Sequence, residues 1–241
     1  MISKKIVIIG GSGSIGSSIA KEVIDDGFEA HLIGRNEESL KSVSGDLNCE
    51  YSIADVNDSD QLKRSLQDCG ENIYGLAYCV GSINLKPLSS VSEKDFIDSF
   101  KVNAIAAVLS IKFLKEVLKK NNGSILLFST IAVKQGFINH SIISSSKGAI
   151  EGLTLSLAAE LSPEIRVNCI APSLTESKMS KKIISNDTIK KAIENMHPIP
   201  KIGSPTDFSK LSAFLLGQNN KWVTGQIIHV DGGRSTLRKK G

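Results

Sequence analysis

Within the first twenty residues an apolar β-branched run, Ile6 to Ile9, passes directly into Gly10-Gly11-Ser12-Gly13-Ser14-Ile15-Gly16. Ile15, Ile19 and Val23 then recur every four residues. The run reads as a strand buried on both faces, and the recurrence as a helix with one apolar stripe. No residues are left over for a free loop, so strand, glycine turn and helix must fold as one unit. Gly10, Gly13 and Gly16 are spaced G-x-x-G-x-x-G. In such a unit Gly10 permits the tight turn, Gly13 lets a ligand approach the backbone, and Gly16 lets the helix lie close to the strand. The first-turn N–H groups face the loop, where the helix dipole favours an anion. The expected ligand is a dinucleotide pyrophosphate held by Gly10, Ser12, Gly13, Ser14, Ile15 and Gly16. The alternative is a small-residue turn that binds nothing.

Strand-length apolar runs and helix-length segments alternate along the rest of the chain. Strands are expected near 5–9, 30–33, 49–53, 75–79, 124–128, 166–170 and 226–230. Helices are expected near 14–26, 37–44, 59–69, 93–120, 144–161, 187–196 and 205–216. That alternation implies right-handed crossovers and an α/β fold, a mostly parallel sheet with helices on both faces. Its 241 residues, without repeat or linker, are expected to form one domain over 1–241. No membrane span and no leader segment are expected, because no long apolar window occurs and the first strand begins near residue 5. The net charge of +4 is scattered, and the basic end after Leu237 is short, so a nucleic-acid partner is not expected. Cys49, Cys69, Cys79 and Cys169 form no C-x-x-C pair. Cys79 and Cys169 read as small core residues of a reducing, cytoplasmic setting, with no metal site.

The second strand ends in Leu32-Ile33-Gly34-Arg35. A carboxylate about twenty residues after the glycine loop would bond the ribose 2′-hydroxyl of NAD; that place holds Gly34, and Arg35 follows it. A guanidinium pairs with a 2′-phosphate, so NADP(H) is favoured, with NAD(H) still open. The other reading of Arg35 is a surface residue opening the next helix. Asp55 is a candidate to bond the adenine, or else to cap the helix after Asn57.

Several motifs together resemble the short-chain dehydrogenase/reductase family over essentially the whole chain. They are the glycine loop, Gly34-Arg35, Asp55, Lys147, Arg166-Val-Asn-Cys-Ile-Ala-Pro172, Val223-Thr-Gly-Gln226 and Val230-Asp-Gly-Gly233. The resemblance implies a Rossmann-type, doubly wound sheet of about seven parallel strands and a homotetramer or homodimer. It implies an NAD(P)(H)-dependent oxidoreductase acting on a small carbonyl or secondary alcohol. It also implies that Val80, Gly81, Lys147, Pro172, Ser173 and Ser177 contact the cofactor. Asn103, Thr130 and Lys147 match three of the four family site positions. The fourth, a Tyr four residues before Lys147, is Ile143, and the only Tyr residues are Tyr51, Tyr74 and Tyr78.

The missing phenol matters because the oxygen of a carbonyl undergoing reduction gains charge and needs a proton. Ile143 can donate none. His140, three residues earlier, would share its face if the helix began early, although a loop His bonded to backbone is the other reading. Ser141 and Ser144 could relay a proton or cap the helix start, and Lys147 could act through water. The alternative to an enzyme is a silent dinucleotide-binding or redox-sensing protein. Residues 174–201 read as a flap, with Leu174, Met179, Ile183 and Ile184 as its apolar face. Its Lys178, Lys181 and Lys182 could attract an anionic substrate or serve as solvated surface.

Overall fold

A computed structural model describes residues 4–181 and 184–238. Lys182 and Ile183 of the expected flap, and the last three residues of the basic end, lie outside the described residues. The strands are β1 (Lys5–Ile9), β2 (Glu29–Gly34), β3 (Glu50–Ile53), β4 (Ile73–Tyr78), β5 (Ser124–Phe128), β6 (Arg166–Pro172) and β7 (Ile227–Val230). The helices are α1 (Ser14–Asp25), α2 (Glu37–Leu47), α3 (Ser59–Gln67), α4 (Glu93–Phe100), α5 (Ala106–Lys120), α6 (Ser141–Leu161), α7 (Asp187–Glu194) and α8 (Thr206–Leu216). All seven strands are parallel, in the order β3-β2-β1-β4-β5-β6-β7.

The alternation of side chains along β1 divides the core. Val7 and Ile9 join Leu62, Leu76, Ile111 and Leu114 under α3 and α5. Ile6 and Ile8 join Ile19, Leu32, Leu40, Phe208 and Leu216 under α1, α2 and α8. A strand apolar on both faces therefore means a sheet covered on both faces, as the pattern of the first ten residues requires. The strand order reverses between β1 and β4, which opens a crevice at their carboxyl ends. There the Cys79 N–H donates to the Ile9 carbonyl at 2.8 Å, which brings the β4 exit beside the glycine loop.

Four helices start under side-chain caps. Asn36, Asp58, Ser92 and Asn186 each accept from first-turn N–H groups, and Ser92 with Asp95 forms a complete capping box. The cap of α3 is thus Asp58, not Asp55. Asp55 accepts instead from the N–H and side-chain amide of Asn57, at 2.9 and 3.1 Å.

The single long helix expected over 93–120 is two helices joined by a π-turn, Lys101–Ile105. In that turn the Ala106 N–H reaches back to the Lys101 carbonyl, so the Val102 carbonyl loses its helical partner. Tyr78 Oη donates to that carbonyl at 2.6 Å and holds the turn open. Helix α6 begins three residues earlier than expected, at Ser141, and neither Ser141 nor Ser144 caps it. Ser144 Oγ donates to the Ala132 carbonyl at 2.8 Å instead.

Candidate active site

The crevice widens into a cavity of about 540 Å³ lined at one end by Gly13, Ser14, Ile15 and Gly16. Gly10 takes φ +84°, open to glycine at no steric cost. A Cβ on Gly16 would run into the Gly10 carbonyl oxygen, so the close packing expected of Gly16 is real. Gly11 carries a constraint that spacing does not reveal: its Cβ would lie 2.8 Å from the Leu32 side chain. No side chain caps α1, whose N-cap is Gly13. Its first-turn N–H groups have no side-chain cap and border the cavity, the arrangement that favours an anion such as a pyrophosphate. Val80 and Gly81, just beyond β4, form the adjoining wall.

Arg35 and Asp55 lie away from this cavity lining. Arg35 is exposed and makes no hydrogen bond or ion pair among the described residues. It follows Gly34, whose Cβ position lies 3.5 Å from Ser12 Oγ, so Ser12 and the Gly34-Arg35 turn share one side of the loop.

The opposite end of the cavity gathers Thr130, His140, Ile143 and Lys147. Asn103 sits behind them, fully buried, on the π-turn. Its Nδ2 donates to the Ser99 carbonyl at 2.9 Å, and its Oδ1 accepts from the Ser82 N–H at 3.3 Å. Ser99 Oγ in turn lies 2.9 Å from Ser146 Oγ, tying the turn to α6. Gly81 is the meeting point: a Cβ there would lie 3.1 Å from Asn103 Oδ1 and 3.4 Å from Lys147 Nζ. A Cβ there would press on the Asn103 amide, so glycine suits the close approach of amide and amine to this backbone.

Lys147 is 7% exposed, and its Nζ donates to the Phe128 carbonyl at 2.8 Å. Burial brings its pKa down to about 8, against a small opposing effect of the nearby Cys169 and Cys79. Cys169 is fully buried, as expected of a core residue, whereas Cys79 is partly exposed and borders the cavity. Burial pushes both thiols up to about 12, which leaves them unreactive. Ser129 spends its hydroxyl on Glu151 Oε1 at 2.7 Å, while among the described residues Thr130 Oγ1 accepts only from the Ala132 N–H at 3.3 Å. Thr130 therefore keeps its proton for a ligand.

Ile143 is 5% exposed and faces the cavity from the first turn of α6. His140 precedes that turn; its Nδ1 lies 2.7 Å from the Ile138 carbonyl and its ring packs against Phe137. The early start of α6 does bring His140 and Ile143 to one wall, yet the imidazole is also held by backbone.

Pro172, Ser173 and Ser177 line the side formed by the β6 exit. Ser177 Oγ is engaged with Ser180, 3.2 Å from its Oγ and 3.1 Å from its N–H. Leu174, Lys178 and Met179 cover the cavity from the flap segment, with Ile193 of α7. One residue behind this wall, bordering a second cavity, is not legible in the sequence. His197, 1% exposed, lies with Nε2 2.8 Å from Ser173 Oγ and Nδ1 2.8 Å from the Ile193 carbonyl. It sits in no motif, and only the folding back of α7 reveals it.

The fold and this constellation define a Rossmann-type α/β protein with its site at the switch point of the sheet. A family model described as enoyl-(acyl carrier protein) reductase matches residues 10–235. A 3-oxoacyl-[acyl-carrier-protein] reductase of Chlamydia pneumoniae is 30% identical over 244 residues, covering 97% of each chain. A tropinone reductase homolog of Arabidopsis thaliana is 28% identical, covering 97% of this chain and 92% of its own. Among solved structures, ElxO with NADP bound superposes with TM-score 0.91 at 24% identity, over 98% of this chain and all of its own. An actinorhodin polyketide ketoreductase variant with NADPH gives TM-score 0.91 at 22% identity, over 98% of both chains. The chain belongs to the short-chain dehydrogenase/reductase family, a family of NAD(P)-dependent oxidoreductases. Among the described residues no helix is long and apolar enough to cross a membrane.

Proposed function

We propose that this chain is an NADP(H)-dependent oxidoreductase that interconverts an apolar carbonyl compound and its secondary alcohol, using a proton donor other than Tyr. The observation that carries the reading is the convergence at Gly81. Asn103 Oδ1 and Lys147 Nζ approach the same point, in a cavity that also reaches the glycine loop and Thr130. The bound nucleotide would supply or take the hydride. Gly10, Ser12, Gly13, Ser14, Ile15 and Gly16 hold its pyrophosphate, Arg35 its 2′-phosphate, and Asp55 its adenine. Val80, Gly81 and Lys147 position the nicotinamide ribose, and Pro172, Ser173 and Ser177 the nicotinamide. Thr130 donates a hydrogen bond to the reacting oxygen. Lys147 shifts toward the neutral amine near pH 8, so its attraction for that oxygen weakens in alkali. The NADP-bound and NADPH-bound structural neighbours support the nucleotide, and the reductases among the relatives support the direction.

The substrate reading follows from the rim. Ile83, Leu85, Met179 and Met196 border the cavity, and each is well exposed. Such a rim favours an apolar ketone or an acyl chain over a sugar. Nucleotide fluorescence on titrating NADPH and NADH, followed by ketone reduction, tests the proposal. Tighter NADPH binding with measurable turnover is expected. A protein that binds neither nucleotide would overturn it. NADPH binding with no turnover of any ketone would favour the silent-binder reading that Ile143 keeps open.

A further inference from the structure

We propose that Ser173 and His197 form the proton relay of this site, in place of the phenol that Ile143 lacks. The proposal rests on the dehydrogenase reading above. Ser173 lies in the wall of the main cavity, the same cavity that Thr130, Ile143 and Lys147 line. Among the described residues its hydroxyl has one partner, His197 Nε2, at 2.8 Å. The other ring nitrogen, Nδ1, lies 2.8 Å from the Ile193 carbonyl, which can only accept. The Nδ1 proton is therefore fixed in the neutral ring, and Nε2 is left to accept from Ser173. Ser173 itself lines the main cavity, so its oxygen is open to accept from a ligand there.

A second cavity of about 300 Å³ lies against the same pair, and Ser173 and His197 line it too. Exposed Ile199 and Lys201 border it, so it reaches solvent. The hydroxyl thus stands between the reaction space and a route for protons. Three segments fix it: the β6 exit, the residues after α7, and the turn after β7, where a Cβ on Gly232 would lie 3.5 Å from the His197 Cβ. Lys147, Lys178, Arg234 and the imidazole of His140 are the ionisable groups on the first cavity besides the Cys79 thiol, and Lys201, Asp207 and Asp231 those on the second besides His197.

The step balances in both directions. In alcohol oxidation the substrate O–H bond breaks and its proton passes to Ser173 Oγ, as the Ser173 proton passes to Nε2. The imidazolium then returns to neutral by losing a proton to solvent, which the second cavity reaches. In carbonyl reduction the imidazolium Nε2–H protonates Oγ, while the Ser173 O–H proton goes to the carbonyl oxygen. A serine alone is too weak an acid, and the imidazole is what makes it exchange.

The test compares the parent with Ser173→Ala and His197→Gln. The probes are ethyl acetoacetate with NADPH and ethyl 3-hydroxybutyrate with NADP. The imidazole of His197 is also titrated by NMR without nucleotide. In the parent, the reduction rate should fall and the oxidation rate rise with a midpoint matching that titration. Both variants should lose at least tenfold in kcat and lose this limb, with His197→Gln leaving NADPH affinity within twofold. Ser173→Ala keeps the imidazole and its Ile193 bond, so it remains decisive if His197→Gln fails to fold. An unchanged pH profile or unchanged kcat in Ser173→Ala overturns the relay alone. A parent that binds no NADPH overturns the dehydrogenase reading, and the relay with it.

Discussion

The two ends of the main cavity are built differently. The glycine-loop end is made of backbone: Gly10 in a left-handed conformation, Gly16 against a carbonyl, and the uncapped first turn of α1. The far end is made of side chains: Asn103 on its π-turn, Lys147 on the Phe128 carbonyl, Thr130 and Ile143. Backbone geometry tolerates little change, because one added methyl collides. A site of side chains can lose a member and still hold its shape. On the proposed reading, this difference lets a chain keep its cofactor cradle while changing its proton donor.

Breaking the backbone end should have the largest effect. Gly16→Val places a branched Cβ where the Gly10 carbonyl already lies. It should cost ~1–3 kcal/mol of stability. It should also weaken NADPH binding at least ~100-fold by displacing the first turn of α1. Denaturant melts and nucleotide titration read both effects.

Lys147→Met attacks the other end and should separate activity from stability. Turnover should drop by ~10²-fold or more. Folding should improve, because the amine is buried and its pKa lies below its unfolded value. The unfolded chain then binds more protons between pH 8 and 10.5, so parent stability rises across that window and the full penalty applies below pH 8. Removing the amine should add ~1–3 kcal/mol at neutral pH, after allowing for the lost bond to the Phe128 carbonyl. The variant should also lose the alkaline rise, which melts at several pH values would reveal.

Arg35→Ala sharpens the comparison at the ribose. A charge-assisted bond is worth ~1.5–3 kcal/mol, so NADPH should bind ~10–100-fold more weakly, with NADH little changed. Equal losses for both nucleotides would remove the case for a 2′-phosphate site. The smallest effect belongs to His140→Ala. Its Nδ1 already serves the Ile138 carbonyl, so kcat should change by less than ~3-fold. A loss of two orders of magnitude would make His140 the acid.

The same contrast governs how much the sequence reveals. Strand β1, the glycine loop and α1 are legible because each residue answers a local demand: an apolar pair for each face, a glycine for each close approach. The sheet of seven strands follows from that alternation and from the family resemblance. Asn103, Thr130 and Lys147 stand out by matching motif positions, and the fold brings Thr130 and Lys147 to one cavity with Asn103 buried behind them. The π-turn is not legible, because it depends on Tyr78 reaching the Val102 carbonyl from 24 residues away. The cap at Asp58 hides among neighbouring Asp and Asn residues of equal propensity. His197 is invisible because its partner Ser173 is 24 residues earlier, and only the course of the flap joins them.

The central claim is that a working cofactor cradle faces a site whose phenol has been replaced. Ile143→Tyr tests it most directly, since residues four apart on a helix share a face and the new hydroxyl would stand one turn from Lys147. Reduction of ethyl acetoacetate by NADPH should rise ~10–100-fold over the parent, with NADPH affinity within twofold. If Ile143→Tyr binds NADPH as the parent does and reduces the ketone no faster, the far end of the cavity is not the reaction site and the account is wrong.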